Sequence, residues 1–295
     1  MKEKILFIIN PISGPGNKDW IEKSIERRID ISRYEVTHTF TEYAGHGKEI
    51  ASEAVSNNID IVVAVGGDGT INEIISQLIN TPVKLGIVPL GSGNGLGRHV
   101  GISLNAEKAL EIINHGVTET IDTCLANGFA FVNIAGVGFD AHISKVFNQG
   151  KKRGYLSYIK CTIQEYRNYK PKLYRCKHDQ GEVEMECLSV AFANSQQYGN
   201  NAYIAPLASI KDGWMDVVFI SPFPMYYWPV IIFKTLIKKL HTSSYIQSVR
   251  VKSVQINCNS PFPIHIDGEY RGEDTKVEVS INPASLNLIV GKRNI

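Results

Sequence analysis

The spacing of apolar positions divides the chain into two textures that meet near residue 122. In the first third, short β-branched runs ("KILFII", "YEVTHTF", "DIVVAV", "KLGIV") alternate with stretches at helical period ("DWIEKSIERRI", "GKEIASEAV", "INEIISQLI", "AEKALEII"). Strands near six residues followed by helices near ten predict βαβ units on a parallel sheet. "DIVVAV" is apolar almost throughout, as a strand buried on both faces should be. Beyond Asp122 the runs alternate or are β-rich: "FAFVNIAGVG", "ECLSVAFANS", "WMDVVFIS", "VRVKSVQINC", "KVEVSIN" and "LNLIV". They predict a second, mainly antiparallel β domain, interrupted by helical stretches near Tyr155 to Arg167 and Pro229 to Leu240. The expected division is 1–125 for the α/β domain, completed by 284–295, and 126–283 for the β-rich domain. No internal repeat or low-complexity segment interrupts this pattern.

Composition narrows the class. With 295 residues, 43% hydrophobic and 20% charged, the chain can bury one large or two ordinary cores. A formal net charge of +2 gives no global field for nucleic acid, and no nucleic-acid partner is expected. Five scattered cysteines without a CxxC pair disfavour both a disulfide framework and a zinc site, and fit a reducing cytoplasm. The apolar core of "MKEKILFIIN" is shorter than a signal peptide needs, and "YYWPVIIF" is too short to span a bilayer.

The candidate chemistry sits in three glycine-rich turns, each expected at the carboxyl end of a parallel strand: "NPISGPGNK", "GGDGTINEI" and "PLGSGNGLGRH". In the second, Thr70 and Glu73 read as a T-x-x-E capping box, so the loop ends at a helix N-terminus. Free amides and the helix dipole there suit an anion, and glycines would let the backbone approach phosphate oxygens. Asp68 is the odd member, because phosphate repels a carboxylate unless a metal ion or a proton intervenes. Either Mg²⁺ coordination or acid/base work at a phosphoryl-transfer site follows, against the plainer reading of a tight turn whose aspartate bonds backbone amides. The third turn fits no dinucleotide fingerprint, since Leu96 or Arg98 falls at its last position, and no P-loop lysine is present.

"NPISG", "GGDGTINEI" and "PLGSGNGLGR", in this order, resemble the catalytic domain shared by diacylglycerol kinases, sphingosine kinases and related bacterial lipid kinases of the YegS-like kind. "GVGFDA" (Gly136 to Ala141), "AFANSQQYG" (Ala191 to Gly199), "APLASIKDGWMDV" (Ala205 to Val217) and "IDGE" (Ile266 to Glu269) resemble the family's C-terminal motifs. The resemblance implies a fold: an α/β nucleotide-binding domain like that of phosphofructokinases and NAD kinases, with a mainly antiparallel β-sandwich domain. It also implies transfer of the γ-phosphate of ATP, with Mg²⁺, to a lipid hydroxyl near an inter-domain cleft. Nucleotide contacts would fall on Asn10, Pro11, Ser13, Gly14, Thr41, Gly66, Gly67, Gly69, Thr70, Asn72, Glu73, Gly91, Ser92 and Asn94. Asp68, Asp122, Asp267 and Glu269 match acidic catalytic positions, the last two in the segment assigned the proton acceptor in bacterial members. Ser209, Asp212 and the Trp214 carbonyl match a structural Mg²⁺ site, and family members are often dimers. One departure concerns the lipid: Gly91 to Gly95 read G-S-G-N-G, closer to sphingosine kinases than to the G-T-x-N-D of bacterial diacylglycerol kinases.

Independently of the family, Asp267 and Glu269 stand two residues apart on one side of an extended chain and could share a proton or a metal; the alternative is a solvated turn. His46, His99, His142 and His265 are the other candidate bases. From Lys151 to Lys177 nine Lys or Arg accompany tyrosines 155, 158, 166, 169 and 174, a mixture suited to a peripheral membrane surface or simply to a solvated basic helix. In "MYYWPVIIFKTLIKKL", Trp228, Ile232 and Leu236 are candidates to hold acyl chains if the helix lines a cleft. Three functions compete: a lipid kinase, a soluble-substrate kinase of the NAD-kinase kind, and a nucleotide-binding regulator without catalysis.

Overall fold

The structure is a computed structural model; it describes residues 2–14, 19–149 and 155–291. Residues 15–18 of the first glycine-rich turn, 151–154 of the basic segment and 292–295 of the terminal segment lie outside the described residues. Two compact units emerge, one from the described residues of Met1–Ile121 and Ala284–Ile295, the other from those of Asp122–Pro283.

In the first unit, β1 (Glu3–Ile9), α1 (Asp19–Arg28), β2 (Tyr34–Phe40), α2 (His46–Ser56), β3 (Ile61–Gly66), α3 (Asp68–Leu78), β4 (Lys84–Pro89), α4 (Gly95–His99) and α5 (Ala106–His115) follow the predicted alternation. The strands are parallel in the order β2-β1-β3-β4. The central strand β3 is buried at all six positions, as its unbroken apolar run requires. Because β1, β3 and β4 are neighbours with one direction, their carboxyl ends lie side by side and so do the three turns that leave them.

The chain then forms β5 (Val117–Ala126), β6 (Phe129–Phe131), β7 (Ile134–Gly138), α6 (Phe139–Gln149), α7 (Tyr155–Tyr166), β8 (Lys172–His178), β9 (Gly181–Cys187), β10 (Ser189–Ala193) and β11 (Met215–Ile220). It closes with α8 (Trp228–Leu236), β12 (Ile246–Val251), β13 (Ser253–Ile266) and β14 (Glu269–Val290). In the second unit β12-β11-β10-β7-β13-β14 is antiparallel. The register of β13 on β14 shifts between Asn257 and Phe262, and the two halves of β13 serve different neighbours. Val254 to Asn257 pair with β8, whereas Ile264 to Ile266 pair with β7. Pro261 and Pro263 supply the cause, since a proline cannot donate to the ladder. Between the layers lies a core that includes Phe131, Tyr174, Phe192, Phe262 and Val277. The end of β14 returns to the first unit, where Asn287 and Leu288 pair parallel with Lys84 and Leu85.

Candidate active site

The three turns of the first unit hold one another. The Asn10 amide donates to the Val65 carbonyl (2.9 Å), the Leu90 amide to the Gly66 carbonyl (2.8 Å), and the Thr41 amide to the Ile9 carbonyl (2.9 Å). Asn10 Nδ2 donates to Thr70 Oγ1 (2.8 Å) while its Oδ1 accepts from the Ile12 amide (3.0 Å). Asn94, in left-handed conformation at φ 51°, accepts from the Gly91 amide (3.0 Å) and donates to the Gly91 carbonyl (2.6 Å). Pro11, Ile12 and Ser92 remain exposed at the tips, and Ser13 and Gly69 are half-buried.

Three of the glycines allow the loops to touch one another. A Cβ on Gly91 would stand 2.7 Å from Gly67 Cα, one on Gly93 2.6 Å from Asp68 Oδ2, and one on Gly14 2.6 Å from the Leu90 carbonyl oxygen. At these three positions the place of a side chain is taken by the neighbouring turn. The free amides that remain for an anion are those of the first turn of α3.

Asp68 opens α3 and reaches into the third turn. Its Oδ2 accepts from the Asn94 amide (2.8 Å) and its Oδ1 from the Gly95 amide (2.7 Å). Burial pushes its carboxyl above the ordinary aspartate value, and the two amides pull the other way. The capping-box expectation needs correction. The helix begins at Asp68 with Gly67 as its cap, so Thr70 is already inside it and binds Asn10. Glu73 instead accepts from the amides of Gly45 (2.8 Å) and Gly47 (3.2 Å), fixing the start of α2. Asn72 is buried.

In the second unit Asp122 and Asp267 both stand near Cys124, whose thiol is raised by burial and then by their charges, whereas Glu269 turns to Arg271. Asp122 is buried and accepts from the Gly213 amide (2.8 Å). Asp267 and Gly268, at φ 46° and 85°, form a two-residue turn in which Ile266 pairs with Glu269, in place of the extended segment expected. The Asp267 carboxylate takes the amides of Val132 (3.1 Å), Asn133 (2.9 Å) and Ile134 (3.0 Å). Glu269 points elsewhere, to Arg271 Nη2 (2.8 Å). Asp267 and Glu269 are thus engaged with different partners, three amides and a guanidinium.

Ser209, Asp212 and Trp214 stand on the turn that precedes β11. The Arg250 guanidinium pairs with Asp212 Oδ2, the Trp214 amide donates to Asp212 Oδ1 (3.1 Å), and the Lys211 amide donates to Ser209 Oγ (3.4 Å). The Lys252 ammonium also lies 5.1 Å from the Trp214 ring centroid. The Asp212 carboxylate is thus paired with Arg250 in this structure. Among the described residues no three His, Cys, Asp or Glu side chains converge as metal ligands.

A different constellation appears where β7 runs into α6. Asp140, in the first turn of α6, accepts on Oδ1 from the Ala141 amide (2.8 Å) and on Oδ2 from the Tyr198 hydroxyl (2.9 Å). His265 Nε2 lies 3.2 Å from the same Oδ2, and His265 Nδ1 accepts from the Gly268 amide (3.3 Å). An amide can only donate, so Nδ1 is bare and Nε2 carries the proton given to Asp140. Gly136 lies beneath them: a Cβ there would stand 2.3 Å from Asp140 Oδ2 and 2.7 Å from His265 Nε2, so a side chain would displace the pair. Desolvation of the hydroxyl, then the Asp140 charge, raises Tyr198 well above its ordinary value although the residue as a whole is 37% exposed, so it stays a donor. Sequence reasoning named His265 only among four histidines and missed Asp140 and Tyr198. The available signal was Asp140 in "GVGFDA", a strand–glycine–aspartate–helix arrangement matching "VGGDG".

Asp140 and Tyr198 also line an apolar cavity of about 180 Å³ within the second unit, walled by Phe139, Tyr158, Tyr166, Phe223, Trp228 and Ile232 among others. A cavity of this order readily takes up an apolar ligand. Trp228 Nε1 is buried with no hydrogen-bond partner among the described residues. Of the three acyl-chain candidates, Trp228 and Ile232 line this space; Leu236 does not and is exposed. The described tyrosines of the basic segment are not an outward belt. Tyr158 and Tyr166 line the cavity, Tyr169 packs on Phe139 and Tyr174 is fully buried. Lys151, Lys152 and Arg153 lie outside the described residues.

Residues 4–126 match the model of the diacylglycerol kinase catalytic domain, and residues 133–290 match that of the YegS C-terminal NAD kinase β-sandwich-like domain. The chain therefore belongs to the YegS-like family of diacylglycerol and lipid kinases, and it is a phosphotransferase with an alcohol acceptor. It is 27% identical over 295 residues to a diacylglycerol kinase of Mycobacterium tuberculosis, an alignment that covers 97% of this chain and 94% of that one. It is 28% identical over 225 residues to a probable YegS-like lipid kinase of Shewanella frigidimarina, covering 74% of this chain and 72% of that one. A crystal structure of a putative diacylglycerol kinase from Bacillus anthracis superposes with a TM-score of 0.81 at 21% identity, covering 99% and 97% of the two chains. That likeness shows the fold, α/β followed by β-sandwich, as expected. Among the described residues no helix is long and apolar enough to cross a membrane.

Proposed function

We propose that this phosphotransferase moves the γ-phosphate of ATP to the hydroxyl of an acyl lipid of the diacylglycerol kind, acting peripherally at a membrane from the cytoplasm. The observation that carries the reading is the apolar cavity with the Asp140 carboxylate in its wall. An acyl chain fills the cavity and leaves the lipid hydroxyl at the carboxylate. As that oxygen attacks the γ-phosphorus, its proton passes to Asp140 Oδ1, which retains a lone pair beside the Ala141 amide bond. The Tyr198 hydroxyl and His265 Nε2–H hold Oδ2 and so keep the base oriented. The bond between the γ-phosphorus and its bridging oxygen breaks, and ADP leaves.

Division of labour follows the two units, with nucleotide on the first and lipid on the second. The phosphates sit on the first-turn amides of α3, with Gly69, Thr70, Ser13 and Ser92 at the rim. Asp68 holds the second and third turns together through Asn94 and Gly95. The donor set suits the nucleotide: amides and hydroxyls without a lysine ask for a cation to accompany the phosphates. Mg²⁺ would arrive with the nucleotide and neutralise charge on the transferring group, as is usual where no all-protein cage exists.

The unpartnered Trp228 Nε1–H favours a lipid with a carbonyl over a sphingoid base, because a fatty ester can satisfy that buried donor. The test is transfer of ³²P from γ-labelled ATP with Mg²⁺ to diacylglycerol, sphingosine, ceramide and undecaprenol in mixed micelles, with NAD as soluble control. Labelling of diacylglycerol supports the proposal; labelling of sphingosine in its place rejects the ester argument, and labelling of NAD alone rejects the lipid.

A further inference from the structure

The helix α8 is apolar on two opposite faces. One face, with Trp228, Ile231, Ile232 and Thr235, lines the cavity. Residues of the other stand in solvent: Tyr226 in the preceding turn is 81% exposed, Val230 37%, Phe233 60%, Leu236 43% and Ile237 41%. The spacing 226, 230, 233, 236/237 is one stripe of a helix. A helix apolar on both sides is ordinarily buried on both sides, yet no described residue covers this one. Its borders carry Lys234, whose Nζ donates to the Thr242 carbonyl (3.0 Å), Lys238, whose Nζ lies 4.4 Å from the Tyr203 ring centroid, and Lys239, and from Ser221 to Ser243 there is no Asp or Glu.

We propose that this stripe is a docking surface for a membrane whose headgroups are anionic, with Phe233 and Leu236 entering the acyl boundary and the lysines engaging the headgroups. Charge complementarity names the occupant: an apolar stripe rimmed by lysine alone matches an apolar layer under a negative surface. Continuity of the helix supports the same occupant. Lipid leaving a bilayer seated on the outer face of α8 has only the thickness of one helix to pass before reaching the cavity on its inner face. The docking face rests on the lipid-kinase reading only for the identity of the cavity's ligand. It also moves the membrane contact away from the tyrosines at 158, 166, 169 and 174, which face inward.

The experiment is co-sedimentation of the full chain with phosphatidylcholine vesicles, with and without phosphatidylglycerol, for the wild type, Phe233→Asp and Lys238→Glu/Lys239→Glu. Both variants are expected to bind the anionic vesicles about tenfold more weakly or worse, and to phosphorylate a monomeric short-chain diacylglycerol at the wild-type rate. A further variant, Phe233→Trp, reports depth directly: lipids brominated on the acyl chain should quench its added fluorescence beyond that of the wild type. Unchanged vesicle binding in Phe233→Asp, or no added quenching in Phe233→Trp, overturns the docking face while leaving the kinase reading intact. A wild-type chain that ignores the short-chain lipid, while the Phe233→Trp variant is quenched, does the reverse. Concentration-dependent self-association without lipid, abolished by Phe233→Asp, would assign the stripe to a second copy of this chain and reject the membrane.

Discussion

The molecule twice places a carboxylate at the start of a helix directly after a glycine-ended strand, and the two are held differently. Asp68, after β3, is gripped at both oxygens by backbone amides of the next turn. Asp140, after β7, has one oxygen on its own helix and the other on two side chains, Tyr198 and His265. Backbone amides fix a loop and offer no proton to trade at neutral pH. Each carboxylate keeps lone pairs to spare, so the difference lies in the donors: main-chain amides of one turn for Asp68, and side chains from two distant segments for Asp140. The same local arrangement thus joins two turns in the first unit and, in the proposed reaction, holds the base in the second.

The largest expected effect is on turnover. Asp140→Asn should lower kcat by about 10² to 10⁴-fold, the range of a lost general base, with ATP binding and the unfolding midpoint kept; retention of kcat would break the assignment. Next, Gly91→Ala should cost about 1–3 kcal/mol through overpacking against Gly67 and abolish ATP binding, read by urea unfolding and calorimetry; an unaltered ATP affinity would mean that the turns do not depend on that contact. Asp68→Asn should cost about 1–3 kcal/mol by leaving one amide unpaired, with kcat reduced far less than by Asp140→Asn. The reverse ranking would exchange the roles of the two carboxylates.

A pH comparison sharpens the Asp68 case. Its folded pKa is raised above the unfolded value, so the folded state binds the proton more tightly in the interval between the two. Wild-type stability should therefore gain on that of Asp68→Asn as pH falls from above the folded pKa towards the unfolded one, and be flat outside that window. Urea midpoints across pH 7 to about 4 test this, and a loss over that interval would mean that the amides outweigh burial. The smallest effect belongs to Glu269→Gln, a half-exposed partner of Arg271, expected within about 0.5 kcal/mol in stability and near wild type in rate. A dead Glu269→Gln enzyme would return the proton acceptor to the IDGE turn.

Much of this architecture was written in local patterns. Apolar runs and glycine punctuation located the parallel sheet, the three turns and the antiparallel half, because each depends on neighbours in sequence. The readings that changed depend on distant partners. Glu73 fits a capping box until Gly45 and Gly47 are found within its reach. Asp267 looks like an acid until three amides 133 to 135 residues away occupy it. Asp140 is separated from Tyr198 by 58 residues and from His265 by 125. No spacing rule could have joined them, although the strand–glycine–aspartate–helix likeness of "GVGFDA" to "VGGDG" pointed to the first.

The contact of Gly67 with Gly91 bears on how such a chain can drift. Most buried contacts tolerate exchange, a larger residue on one side being offset by a smaller one opposite. Here neither partner has a side chain to give up, so no second substitution can rescue the first. Across descendants of this sequence the two positions should stay fixed together, and a contact that never varies leaves no covariation by which an alignment could reveal it.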